Sequence, residues 1–132
     1  MINLHTDLVA RFLVTAFFAV VFLQSALDKL FDHAGNLAYF SDHFKGSPVA
    51  GLVPLMFWVL TLVELSAGGL CAVGLVSGDF RGRGFGIAAC GVALAGAALL
   101  CLITGQRLAK DYAGAAVVAA YFAVALVGLT FF

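Results

Sequence analysis

The chain has 132 residues, 64% hydrophobic and 11% charged, with seven basic side chains balancing seven acidic ones. A water-soluble domain this short buries only about 60–70% of its unfolded surface and carries about 25% charged residues, so lipid is the consistent solvent. The zero net charge, with no basic cluster, argues against nucleic acid as a partner and against a polybasic hold on anionic lipid.

Four apolar runs follow in chain order. The first extends from about Leu8 to Phe31, with Phe12 to Leu23 as its most apolar part. Its position near the N-terminus resembles a secretion signal, but it lacks a small-residue cleavage motif and three similar runs follow it, so it is read as a span. The second runs from about Leu52 to Val76, the third from Gly84 to Thr104 and the fourth from Tyr112 to Phe132. Each is near the 20 or so residues that a helix needs to cross hydrocarbon, and none alternates like a barrel strand of about 10 residues. Backbone exposed to lipid must satisfy its own hydrogen bonds, so the expected fold is all-α: an integral membrane four-helix antiparallel bundle forming a single domain.

The connections differ in character. Between the first two spans lies DHAGNLAYFSDHFKGSPVAG, where Leu37, Tyr39, Phe40 and Phe44 interleave with Asp42, His43 and Lys45. This pattern predicts a short amphipathic segment at the interface, broken by Gly46, Ser47 and Pro48. SGDFRGRG and GQRLAKD are short turns, which force neighbouring spans antiparallel and place both termini on one face. We call this face A and the opposite one face B. Basic residues divide almost evenly between them, and Arg81 and Arg83 in the tightest loop lean the reading toward cytoplasmic termini. Ala67, Gly68, Gly69, Gly74, Gly86, Gly91 and Gly96 are small enough for close helix packing within the bundle or between copies of it.

Glu64 is the most informative side chain. It lies near the middle of the second span, roughly 18 Å from face B at about 1.5 Å per residue. A charge at the bilayer centre costs about 2.5–3.5 kcal/mol, so Glu64 is expected to face the bundle as a proton carrier, a ligand contact or a hydrogen-bonded node between helices. Tyr121 at similar depth and Gln24, about 8 Å nearer face B, are its expected partners. Gln24 and Asp28 share one face of the first helix, and Lys29 sits about 100° away, able to snorkel to the interface. Asp28 so close to the core calls for a cation, for which Lys29, Arg107 and Lys110 are available at face B. Arg11 and Lys29 are eighteen residues apart, about five turns, and read as anchors at opposite boundaries. Face B also gathers Asp32, His33, Gln106 and Asp111, which reads either as a mouth or docking surface or as the longer loop simply holding more polar residues.

Cys71, Cys90 and Cys101 all lie in apolar runs with no CxxC, which argues against a zinc site or a disulfide scaffold. Cys71 and Cys90 have similar depths, and read either as a redox pair or as inert small residues. No nucleophile with a base, no phosphate loop and no metal constellation is present, so catalysis by this chain alone is not expected.

FLQSALDKLFDHAGNLAYF, residues Phe22 to Phe40, and LVELSAGGLCAVGLVSGDFRGRG, residues Leu62 to Gly84, resemble the DoxX/DoxD-like family of small bacterial membrane proteins. Lys110 followed by Ala113 and Gly114 is a weaker match. Ala26 stands where glycine is frequent in that family, and Asp111 where asparagine is. The resemblance implies a multi-pass protein of the bacterial inner membrane, associated with an oxidoreductase complex as a non-catalytic or quinone-contacting subunit. The alternative role is a scaffold or assembly partner for another membrane complex. A homo-oligomer is compatible with either. Transport is a weaker third reading, because no charged relay crosses the membrane. The candidate ligand or proton residues are Glu64, Gln24, Asp28, Lys29, Tyr121 and Lys110.

Overall fold

The computed structural model describes residues 3–132. Five α-helices are formed among the described residues: α1 (Leu4–Phe31), α2 (His33–His43), α3 (Val53–Val76), α4 (Ile87–Leu108) and α5 (Tyr112–Leu129). All but α2 are long and apolar enough to cross a membrane. No strand is present among the described residues. The chain is therefore an all-α antiparallel bundle with the short helix α2 between its first two spans.

The helix ends depart from the apolar runs because polar caps set them. Asn3 caps α1, its side chain accepting from the His5 backbone N–H, so the helix starts several residues before Leu8. Glycine at 84 adopts φ 96°, and the Asp79 carboxylate accepts from Ala88 N at 2.8 Å. Helix α4 thus starts at Ile87 rather than Gly84. It then continues past Thr104 to Leu108, since Gly105, Gln106 and Arg107 do not break a helix by themselves. Lys110 ends it in the left-handed region at φ 61°, with Asp111 N–H donating back to Gln106 O, the wrapped closure usually built on glycine. Asp111 in turn caps α5 through Gly114 N. At the other end α5 stops at Leu129.

Helix α3 packs between α1 and α4, and α5 packs along α4 with lighter contact to α1. The buried residues of α1 fall on one stripe: Asp7, Arg11, Val14, Thr15, Phe18, Ala19, Phe22, Ala26 and Lys29. Phe18 and Phe22 fill the centre against Ala67 and Cys71 of α3 and Val92, Ala95, Ala98 and Leu99 of α4. Large rings on one helix thus meet small residues on two others, which lets the backbones approach. The approach is closest at three glycines. A methyl group at Gly68 would lie 2.8 Å from Leu23 N, at Gly74 2.8 Å from Ala88 Cα, and at Gly91 2.8 Å from Cys71 N. Gly69 and Gly96 have no such contact. Gly74→Ala and Gly91→Ala should each cost about 1–3 kcal/mol of stability, as overpacked substitutions do, whereas Gly69→Ala should not destabilise. Thermal unfolding in detergent would check this.

Face A is tied together by long-range contacts. The Arg83 guanidinium lies 3.8 Å from the Asp7 carboxylate, and Gly84 N–H donates to Phe132 O at 2.8 Å. The first turn of α1, the α3–α4 loop and the last residues of the chain therefore share one side, as an even number of spans requires. At face B, α2 follows α1 almost without a linker. Asp32 caps α2 through Gly35 N, and Asn36 Nδ2 donates to Asp28 O and Asp32 O, which serves the terminal carbonyls of α1.

Candidate functional site

Glu64 is 1% exposed and faces the interior, as its position predicts. Its partners are Lys29 and Ser25, both on α1. Lys29 Nζ donates to Glu64 Oε2 at 2.9 Å and to Ser25 Oγ at 2.7 Å, and Ser25 Oγ donates to the same Oε2 at 3.0 Å. The three groups close a triangle within the bundle. Backbone direction explains how a lysine two residues from the end of its helix reaches an acid near the middle of another. Side chains lean toward the N-terminus of their own helix. α1 runs from face A to face B, so Lys29 leans inward; α3 runs the opposite way, so Glu64 leans up to meet it. Lys29 is accordingly buried and does not snorkel. Its ammonium also lies 5.7 Å from the Phe40 ring centroid, and Phe40 packs edge-on against Phe57.

This arrangement keeps a charge pair neutral as a unit in apolar surroundings, with hydrogen bonds on both members, which is the condition for tolerating buried ions. A proton moved from Lys29 to Glu64 would leave two uncharged groups still in hydrogen-bonding contact. The triangle can therefore serve as a fixed link between α1 and α3 or as a resting place for a proton.

The other candidates do not join it. Gln24 and Asp28 are exposed on the outward side of α1. No ion pair involving Asp28 forms among the described residues. Tyr121 is 37% exposed on α5, its ring edge-on to Phe17. Depth alone pairs it with Glu64, but α5 lies along α4 rather than α3, so the bundle's width separates them. Lys110 points outward from the turn that stops α4. Arg11, expected as an interfacial anchor, is 3% exposed and lies on the same buried stripe as Lys29. Its Nη1 donates to the carbonyls of Phe80, Arg81 and Gly82 at 3.3, 2.9 and 2.6 Å, and Nε to Asp7 O. Ser25 stands one helical turn before Lys29 and so faces the same way, which is the one signal in the sequence that joins it to the site.

A second polar group lies at face B. His43 Nε2 donates to Gln106 Oε1 at 2.6 Å and lies 3.7 Å from an Asp111 carboxylate oxygen. The bond ties the last residue of α2 to the last turn of α4. Beside it a cleft of about 460 Å³ opens between α2, α3 and α4, walled by Phe40, Phe44, Phe57, Leu60 and Val63. Phe40 lines this cleft and also lies against the Lys29 ammonium, with Phe57 edge-on beside it. All three cysteines are free: Cys71 is buried, Cys90 half-buried and Cys101 exposed. No cluster of three or more metal-ligating side chains exists among the described residues.

No family model, curated protein or solved structure matches the chain.

Proposed function

We propose that this protein is a DoxX-like subunit of a bacterial inner-membrane oxidoreductase complex, non-catalytic by itself, that contacts quinone, with its termini in the cytoplasm. The observation that carries the reading is the Lys29–Glu64–Ser25 triangle, desolvated at membrane depth. Intramembrane ionisable groups are costly, and where they persist they commonly mark proton or ligand paths. The neighbouring cleft supports the same reading, since it brings apolar space to within one aromatic layer of the pair.

The scaffold reading has its own support: no buried side-chain nitrogen or oxygen among the described residues lacks a hydrogen-bond partner. A fully satisfied node is what a purely structural link between helices requires.

The two roles separate on Glu64→Gln. Native purification in mild detergent should recover quinone and a dehydrogenase partner with the chain. A proton-carrying Glu64 predicts that Glu64→Gln lowers quinone reduction by the assembled complex about 10²-fold or more while the partner stays bound. A scaffold predicts unchanged turnover in Glu64→Gln and loss of the partner when Lys29 or the α2 segment is altered. Intact complexes without quinone or any redox partner would overturn the oxidoreductase reading.

A further inference from the structure

The cleft beside α2 has a polar end and an apolar floor. His43 is the last residue of α2 and Gln106 lies in the last turn of α4, so both stand near face B. Leu100 and Val63, which also line the cleft, lie deeper by about two helical turns. Its volume of about 460 Å³ falls within the roughly 300–1,000 Å³ of sites that enclose one small molecule.

The lining restricts the chemistry of an occupant. No lysine, arginine, aspartate or glutamate borders the cleft. The Thr104 hydroxyl is committed to Leu100 O, which leaves His43, Gln106 and the Tyr39 hydroxyl as its polar groups. Gln106 Oε1 can only accept, so His43 Nε2 supplies the hydrogen of the 2.6 Å contact. The Gln106 carboxamide N–H groups remain as donors. The mouth therefore offers the His43 ring, the Gln106 carboxamide and the Tyr39 hydroxyl as its hydrogen-bonding groups. No lining side chain carries a fixed charge to pair with an ionic head of either sign, and the Asp111 carboxylate 3.7 Å from His43, outside the lining, further disfavours an anionic one.

We propose that this cleft binds an uncharged amphiphile with a single apolar chain, its hydrogen-bonding head read by His43 and Gln106 at face B. A quinol ring and the glycerol head of a neutral monoacyl lipid share this chemistry by donating and accepting, and a quinone ring shares it by accepting from the Gln106 carboxamide. The site stands on the cleft's own lining and holds whether or not the chain serves an oxidoreductase.

The test uses three photoreactive probes on the same diazirine-bearing alkyl chain, with a benzoquinone, a glycerol-ester or a carboxylate head, added to the full chain in nanodiscs. Adducts are mapped by mass spectrometry. At least one uncharged probe should label residues 53–63 and 100–108 saturably, and the carboxylate probe should label them at least tenfold more weakly. His43→Phe with Gln106→Leu should weaken that labelling about tenfold. Gly105→Leu should abolish it by filling the cleft, where a methyl at residue 105 already comes within 3.2 Å of Phe44 Cζ. An unchanged melting temperature certifies that each variant is folded. Equal labelling by all three heads, labelling indifferent to His43 and Gln106, or none in the cleft overturns the proposal. Cleft labelling by the glycerol ester alone supports it while removing the quinone reading. Saturable quinone labelling elsewhere keeps that reading and overturns this one.

Discussion

Lys29→Met should destabilise the bundle by about 3–5 kcal/mol, the cost of leaving a buried charge without its partner. Glu64 is then held near the middle of α3 with only the Ser25 hydroxyl as a partner. It cannot leave, because its side chain is short and its helix is fixed between α1 and α4. Glu64→Met should cost less. Lys29 sits two residues from the end of α1, and its long stem can carry the ammonium out to face B once the acid is gone. The double variant should be more stable than Lys29→Met alone, since methionines can fill the space of a matched pair that gains little net energy over apolar packing. Reversible unfolding of the four proteins in bilayer-like micelles yields the coupling energy directly. A double variant that loses the sum of the two single effects would show that the residues act apart, and the closed triangle would then have no energetic meaning.

The four spans and their antiparallel order are legible in the sequence because hydrocarbon leaves few options. Long apolar runs must be helices, and short turns must reverse them. Glu64 facing inward follows from the same cost argument. Its partner is harder to read. Depth arithmetic finds residues at the right height, but it does not say which helices touch, so Tyr121 matched Glu64 in depth while lying on a helix that packs elsewhere. The snorkelling expected of Lys29 differs from the structure for another reason. Proximity to the interface suggested snorkelling, yet the inward lean of side chains on α1 carries its ammonium down instead. The phase of α1 held the missing signal: Arg11, Phe18, Phe22 and Lys29 repeat along one stripe, and the bulky rings on that stripe mark it as the buried one. The His43–Gln106 bond joins residues far apart in sequence, and no local pattern announces it.

That stripe also decides what Arg11 does. Its guanidinium gathers the carbonyls of Phe80, Arg81 and Gly82, in the 3-10 turn (Asp79–Arg81) and the residue after it. A tight turn of this kind exposes acceptors that no helix or strand satisfies, and a buried carbonyl without a donor costs about 1–3 kcal/mol. Arg11→Met should therefore cost about 3 kcal/mol, somewhat less than one such loss per carbonyl, because water at face A can reach part of the turn. Arg11→Lys should recover less than half of this. A single ammonium cannot reproduce the planar fork, although its charge is the same. The damage should be local at first. Hydrogen exchange should rise in residues 79–86 and in the first turns of α4, where Asp79 caps Ala88, while α2 and the face B half of the bundle stay protected. Uniform loss of protection across all helices would mean instead that Arg11 holds the whole bundle, with the turn merely its point of attachment.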